Sequence, residues 1–564
     1  MSRVCKRSGP ACTDRPLSDR AVRAKFDAWR HVVASCLGPR ARLKQVRNGV
    51  GGRVSTTSTC SVLLAAVPPS EPLLKLLTAC VLQHVQRFGD AGLFAAVLGL
   101  SLVDQVTRRG SDSSTAVRVH QRLLELCDLY LTSADCCAKV EVDLGSCRSL
   151  LALAHSGVSS KPACGLDPAE TQQVSALLLK AFLQTIPCGS TDTVRLGETV
   201  VVGVEGEAVE NSAVFPGLLL DVPEMLHSGD LERLGPGPYK LALFSASLSG
   251  DLSERGNMEI HTGTDPEAAL LEKLLKVGEQ VVRDCATLFL CQKVIHPVLQ
   301  QYLRERGVVV VERLGIAMLE QVTSMTGAQA AATSHTPVPA EAFGWVEALS
   351  IQLCGTRKML HLQPTANPAV CTLVLCHRNE SMLDELKVTC KRVQHVLQLA
   401  LKDPVALLGG GCMETHLSAY IRHLSRRDAA EMASDLDCSP QEFLLAADGF
   451  CRSLEAAAQA LEHDGGLVLM DLNYGHCWVC PADEELDTST LLSCSCGLIN
   501  SSAGMEWTTL GSTHPDFCPR PPPGDSTARA CVLDSFPAKR NALNVAVEIA
   551  SLILDVKYVI RDLN

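Results

Sequence analysis

Several things are scarce in this 564-residue sequence, and each scarcity excludes a class of protein. No apolar run reaches the ~20 residues that a membrane helix needs. The richest stretch, Leu93 to Val103, is interrupted by Gly99 and Ser101 and ended by Asp104. Met1 to Arg20 carries Arg3, Lys6, Arg7, Asp14 and Arg15 with no apolar h-region, which argues against secretion. Positive charge is short, with 51 Lys+Arg against 62 Asp+Glu and a net charge of -11. That balance excludes a binder that works chiefly by neutralising nucleic-acid phosphates. Aromatic residues make up 4%, but 46% of the chain is hydrophobic, enough for sizeable cores and too much for disorder. Internal repeats and low-complexity tracts are absent. The expectation is a soluble intracellular protein whose 26 cysteines are buried or free thiols in a reducing compartment.

Common catalytic signatures are missing too. There is no G-x-x-x-x-G-K-[ST]; its nearest approach, Leu196-Gly197-Glu198-Thr199, puts a glutamate where a phosphate needs lysine. No G-x-S-x-G and no H-E-x-x-H occurs. One stretch has metal-ligand spacing: His476-Cys477-Trp478-Val479-Cys480 followed by Cys494-Ser495-Cys496. A C-x-x-C pair with a second cysteine pair nearby can close a tetrahedral zinc site, but here the second is C-x-C and Pro481 and Asp483-Glu484-Glu485 intervene. Cys477, Cys480, Cys494 and Cys496 therefore read as ordinary thiols at a hairpin, with metal binding by them left open, and Cys136-Cys137 reads the same way. His155, His296 and His416 read as structural histidines.

What is present is a helix-rich chain with an α/β middle. Arg20 to Cys36 is amphipathic and stops at Leu37-Gly38-Pro39. Val46 to Thr57, with Gly49-Val50-Gly51-Gly52 inside it, reads as a hairpin. Helices are predicted from Pro72, and over roughly Asp90 to Arg108, Ala116 to Thr132 and Glu170 to Thr185. From about Val200 to Val370, short buried strands (Gly217 to Leu220, Tyr239 to Phe244, Thr287 to Leu290, Val308 to Val311) alternate with helices at Pro266 to Asp284 and His296 to Arg306. One more strand, Cys371 to Leu375, precedes a return to helices until the end. Gly511 to Ser526 and Ala328 to Pro339 read as loops.

Three glycine-bearing turns at helix ends, Leu37-Gly38-Pro39, Gly89-Asp90 and Gly409-Gly410-Gly411, present backbone N–H groups suited to anions. Their order and surroundings resemble a group II chaperonin subunit, the family of the TCP-1 ring complex and the thermosome. The resemblance runs from about Val22 to Ile560. Gly38, Pro39 and the Val46 to Thr57 hairpin match the family's phosphate loop and stem-loop. Val158-Ser159-Ser160-Lys161 resembles the path into its intermediate domain. Cys291-Gln292-Lys293, Val308 to Arg313 and Met325-Thr326-Gly327-Ala328 resemble its apical domain. Leu383-Asp384-Glu385 resembles the return path, and Ala542 to Ile560 the final helix and strand.

The resemblance implies a multidomain α and α/β fold: a helical equatorial domain (1–142 and 405–564), a small intermediate domain (143–212 and 371–404) and an inserted α/β apical domain (213–370). It implies ATP contacts at Gly38, Pro39, Asp90, Gly410, Gly411 and Asp534. The family's GDGTT is here Gly89-Asp90-Ala91-Gly92-Leu93, so the Mg²⁺-binding aspartate persists and both threonines are lost. Its TNDG is Thr57-Ser58-Thr59-Cys60. Counted back from Gly409 without a gap, the water-activating aspartate falls at Arg392, which cannot act as a base. The resemblance thus implies no catalytic residue, no hydrolysis, and weak ATP binding with or without Mg²⁺. Arg392 is expected to face the pocket and neutralise Asp90; the alternative reading is a solvated helix residue.

Leu407-Leu408-Gly409-Gly410-Gly411-Cys412 with Glu414-Thr415-His416-Leu417, and Leu461-Glu462-His463-Asp464-Gly465-Gly466, resemble one divergent branch: the vertebrate chaperonin-like proteins linked to Bardet–Biedl syndrome. That resemblance implies a non-enzymatic assembly factor working with two sister chaperonin-like proteins and the TCP-1 ring complex. Its clients would be subunits of the BBSome, and its place the cytoplasm, centrosome and ciliary basal body. The Val46 to Thr57 hairpin and Val556 to Ile560 would pair with neighbouring subunits, the alternative being that they pair only within the chain. Rival readings are an active ATP-hydrolysing chaperonin subunit and a centrosomal scaffold that folds no client.

Overall fold

The first helix shows how local chemistry sets the boundaries. Asp19 accepts a hydrogen bond from Ala21 N at 2.8 Å and caps Arg20–Ala34, whose Val22, Phe26, Trp29 and Val33 form one buried stripe. This is a computed structural model; it describes residues 11–47, 54–186, 196–222, 226, 231, 233–249, 266–333, 336–364, 370–482, 488, 491–522 and 532–561. The chain divides into two compact units, Met1–Ala176 with Asp384–Asn564, and Leu177–Leu383. The boundaries fall inside two continuous helices, Pro168–Gln184 and Glu380–Lys402. No described helix is long and apolar enough to cross a membrane.

The first unit is built around Gly92–Arg109, a helix buried along every face of its first three turns, as an apolar sequence all round requires. Phe536–Asp555 packs closely on it: a Cβ added at Gly99 would lie 3.3 Å from Ala546 O. Pro72–Phe88, Ser113–Thr132 and Pro440–Gln459 complete one continuous core. The last of these starts with a capping box, Ser439 with Glu442. A three-stranded antiparallel sheet places Val405–Leu408 between Lys139–Glu141 and Leu533–Ser535.

In the second unit, Tyr239–Phe244, Leu288–Cys291 and Val309–Val311 run parallel in one sheet, with Gly344–Val346 antiparallel at its edge. Pro266–Arg283 and Pro297–Glu305 connect the parallel strands. Successive strand residues feed two different cores. Ala242, Phe244 and Phe289 face one, and Leu241, Leu243 and Leu290 face the other. That two-sided burial explains why these strands read as apolar runs, broken only at Lys240. Two three-stranded sheets complete the unit: Leu218–Asp221 with Ala348–Cys354 and Arg357–Gln363, and Glu198–Glu205 with Ala213–Pro216 and Val370–His377.

Helices and strands thus alternate through the middle of the chain as expected, and the hairpin forms from Lys44–Arg47 and Val54–Thr57. Its turn, Gly49 to Gly52, lies outside the described residues, as do Asp483 to Glu485, residues 523–526 of the Gly511 to Ser526 loop, and Ser334 and His335 in the Ala328 to Pro339 loop.

Two expectations are corrected. The last third is not helical throughout: Leu467–Asp471 forms a sheet with Cys477–Cys480 and Trp507–Thr509. Those strands are short and interrupted, so they carry little periodicity. The terminal strand Tyr558–Arg561 is also not left wholly for a neighbour. It pairs antiparallel with the chain's own Ala11–Asp14, from Ala11 opposite Arg561 to Asp14 opposite Tyr558.

Candidate functional site

The first unit contains a cavity of about 400 Å³, within the size range of small-molecule sites. Gly38, Pro39, Asp90, Arg392, Gly410, Gly411 and Asp534, all singled out from sequence, line it together with Lys161, Glu414 and Lys539. Residues spread across the chain converge because two helices begin here. Gly92–Arg109 starts after Asp90-Ala91, and Cys412–Arg427 starts after the triple glycine. Their first N–H groups have no partner within the helix and give this cavity donors for an anion.

The glycine turn is sterically required. Gly410 has φ +65°, and a Cβ there would lie 2.5 Å from Ser495 O, a backbone atom that cannot step aside. Ala91, by contrast, holds a left-handed conformation (φ 59°) without being glycine, at the N-cap of its helix. Gly92 follows in space already taken: a Cβ there would lie 2.2 Å from Val85 Cγ2 and 2.8 Å from Cys60 Sγ.

Charge is distributed unevenly around the cavity. Among the described residues, the Asp90 carboxylate has no hydrogen-bond or ion-pair partner; only its backbone carbonyl is engaged, by His84 Nε2 at 2.9 Å. Arg392 donates from Nη2 to Ser61 Oγ. It makes no direct ion pair with Asp90. Burial lowers the Arg392 pKa, while Cys60, Asp90 and Glu385 oppose that shift through space. The expected neutralisation of Asp90 is therefore corrected from a contact to a field effect within one cavity, because Ser61 captures the guanidinium. Burial also pushes the Cys60 thiol up to about 12 against the pull of Arg392. Glu385 accepts from Thr57 Oγ1 at 2.8 Å and Ser58 N at 3.1 Å, tying the segment after the hairpin to the Arg392 helix.

On the other side of the charge balance, Lys539 Nζ bridges Glu414 Oε1 at 2.6 Å and Asp534 Oδ2 at 2.8 Å. The same ammonium sits 4.2 Å from the centre of the Phe94 ring. Burial raises the Asp534 pKa. Burial also acts to depress Lys539, but Asp534 and Glu414 outweigh it and hold its pKa above the ordinary lysine value. Lys539 was missed from sequence; the clue was its place five residues after Asp534 at the start of a helix. Glu414 Oε2 is buried without a hydrogen-bond partner among the described residues.

The metal-spacing stretch folds differently from its pattern. The side chains that gather are Cys412, His476, Cys494 and Cys496; Cys477 and Cys480 do not belong to the group. Cys477 instead lines the cavity. His416 is structural as expected, bonded to Tyr474 O at 2.8 Å and Tyr130 Oη at 2.7 Å. His296 caps Pro297–Glu305 by accepting from Val298 N at 3.2 Å.

Comparison with known proteins agrees with this arrangement. The TCP-1/cpn60 chaperonin family matches residues 30–564. The chain is 42% identical to molecular chaperone MKKS of Mus musculus and 41% identical to that of Homo sapiens, each over the full length of both chains. It is 25% identical to thermosome subunit alpha of Sulfurisphaera tokodaii, over 79% of either chain. With a family match over nearly its whole length and full-length relatives above two-fifths identity, the chain belongs to the TCP-1/cpn60 chaperonin family.

Proposed function

We propose that this chaperonin-family protein is an assembly factor that keeps a nucleotide-sized cleft but does not hydrolyse ATP. The observation that carries this reading is Arg392: it lines the cavity where the family resemblance calls for a water-activating carboxylate. A guanidinium has no lone pair to accept a proton from water, and general-base assistance contributes about 10²–10⁴-fold to such reactions.

The cavity fits a nucleotide in part. Gly38, Pro39, Gly410 and Gly411 offer backbone to phosphates, Asp534 stands for the ribose side, and the unpartnered Asp90 carboxylate is suited to Mg²⁺. Bound ATP would supply phosphates for these groups to hold. The residues Gly92 and Leu93 offer no hydroxyl, which weakens that grip. In this reading, Lys161 and Arg392 provide positive charge beside the phosphates whether or not Mg²⁺ is present.

The unit Leu177–Leu383 would contain the apical domain (213–370) and handle clients. Support comes from apolar residues exposed on it, among them Val298, Ile316, Trp345 and Leu353. The two ribbons, Lys44–Arg47 with Val54–Thr57 and Ala11–Asp14 with Tyr558–Arg561, retain outer edges for neighbouring subunits. The partners proposed are two sister chaperonin-like proteins and the TCP-1 ring complex. BBSome subunits are the clients, met in the cytoplasm, at the centrosome and at the basal body.

Two measurements test the reading. Purified protein is expected to bind a fluorescent ATP analogue weakly and to release phosphate at the no-enzyme rate; turnover above that rate overturns it in favour of an active subunit. Val298→Ser with Ile316→Ser should reduce co-purification of BBSome subunits from ciliated cells. Unchanged recovery by a folded variant favours a scaffold that handles no client.

A further inference from the structure

The four side chains gathered behind the cavity wall carry an inference that does not depend on the nucleotide reading. We infer that Cys412, His476, Cys494 and Cys496 hold one zinc ion, which fastens the glycine turn to the loop that packs against it.

The geometry is that of a closed tetrahedral site. One ligand atom from each residue lies within 4.8 Å of all the others, and all four residues are buried. Cys494 Sγ is 3.3 Å from Cys496 Sγ, and Cys496 Sγ is 3.7 Å from His476 Nδ1. A zinc–sulfur bond of about 2.3 Å implies tetrahedron edges of about 3.8 Å, so an ion fits with shifts of up to about 1 Å in the ligand separations. A Cys3His set is the usual composition of structural zinc sites, and its soft donors disfavour Mg²⁺ and Ca²⁺.

Simpler explanations account for less. Cys494 and Cys496 are free thiols whose sulfurs stand well beyond the ~2.0 Å of a disulfide. Buried free cysteine is ordinary, and this chain has many. What packing of thiols leaves unexplained is the imidazole. His476 is fully buried, its Nδ1 faces the sulfurs, and its Nε2 has no hydrogen-bond partner among the described residues. A ring left with only thiols to bond is costly to bury; ligation of Nδ1 gives it a strong partner.

Neighbouring groups suit three thiolates around a dication. Ile499 N donates to Cys494 Sγ at 3.2 Å, a bond that stabilises charge on sulfur. Cys412 is the first residue of Cys412–Arg427, where the helix dipole favours an anion. His476 is held in place by its own backbone N, which donates to Asp471 Oδ2 at 2.9 Å. On binding, the three thiols would release their protons to solvent.

The location gives the ion its consequence. Each part of the cluster adjoins a cavity-lining residue: Gly411 precedes Cys412, Cys477 follows His476, and Ser495 lies between the other two cysteines. Ser495 N also donates to Cys477 O at 2.8 Å, closing the arrangement. A zinc ion here clamps Ser495 against Gly410 and fixes the turn that lines the cleft.

The test uses the full-length chain, freed of any affinity tag and gel-filtered without chelator, with metals measured by mass spectrometry. About one zinc per chain is expected. Cys494→Ser with Cys496→Ser should lose it, and Cys477→Ser with Cys480→Ser should keep it. In case the first double variant does not fold, wild-type protein stripped of metal under reducing conditions is titrated with Co²⁺. Intense visible bands of tetrahedral cobalt with a thiolate charge-transfer band in the near ultraviolet are expected. Folded wild-type protein that carries no zinc and shows no such bands overturns the proposal. Retention of zinc by a folded Cys494→Ser, Cys496→Ser variant also overturns it, because the metal would then reside elsewhere.

Discussion

Val85 Cγ2 occupies the space that a side chain on Gly92 would need, 2.2 Å from the position of its Cβ. The altered motif at the start of Gly92–Arg109 is therefore built into the packing between two helices. Restoring the family's threonine at this point would force Val85 and Cys60 apart. Gly92→Thr is expected to lower stability by about 1–3 kcal/mol, the usual cost of overpacking a core. Val85→Ala in the same chain should return part of the loss, a coupling that a double-mutant cycle in urea measures. Additive losses would show that the two side chains do not compete.

Ala91 invites the opposite change. A left-handed alanine costs roughly 1–2 kcal/mol; glycine removes that strain but loses about 0.5–1 kcal/mol through its greater freedom in the unfolded chain. Ala91→Gly should therefore stabilise the first unit slightly, by about 0.5–1 kcal/mol. A raised urea midpoint, followed by tryptophan fluorescence, to which Trp29, Trp478 and Trp507 of the first unit contribute, reads this.

How much of the site was legible in advance depended on distance along the chain. Asp90, Gly410 and Arg392 were readable because each belongs to a local run with a fixed order. The grouping of Cys412, His476, Cys494 and Cys496 was half readable. The C-x-C pair and His476 lie close together in sequence, but Cys412 belongs to a different helix, and no spacing rule links it to them. Cys477 and Cys480 had the better spacing, yet the first of them turns toward the cavity. The fold shows the same division. Tyr239–Phe244 was plain from its apolar run at 241–244, buried on both faces. Ala11–Asp14 was invisible, because it is held by backbone bonds to Tyr558–Arg561 and needs no side-chain pattern.

Lys539 is the hinge of the charge balance at the cavity. Lys539→Met leaves Glu414 and Asp534 facing each other without their shared cation, at a cost of about 3–5 kcal/mol for breaking a buried pair. The deficit should depend on pH in a definite direction. The Asp534 pKa is already raised by burial, and losing the lysine raises it further. Protonation at low pH then removes the repulsion, and deprotonation restores it as pH rises through the folded-state value. Thermal melts of variant and wild type should converge toward acid pH and diverge toward alkaline pH. A constant difference would mean that lost packing on Phe94, and not charge, sets the cost.

Glu455 makes the reverse prediction. Its Oε1 accepts from Arg422 Nη2 at 2.6 Å and Ser418 Oγ at 2.8 Å, and its Oε2 from Gly511 N at 2.9 Å with His514 Nε2 at 3.1 Å. Burial acts to raise its pKa, but His514 and Arg422 prevail and hold it below the ordinary glutamate value. A depressed folded-state pKa stabilises the protein fully above the unfolded value of about 4.3 and is lost as pH falls through the folded one. Glu455→Ala leaves Arg422 buried beside Asp448 alone, and should cost about 3–5 kcal/mol at neutral pH. The gap between wild type and variant should then shrink as pH falls below that unfolded value. Denaturant titrations at neutral and acid pH measure it, and a gap that widens toward acid would show that Glu455 is protonated in the native protein.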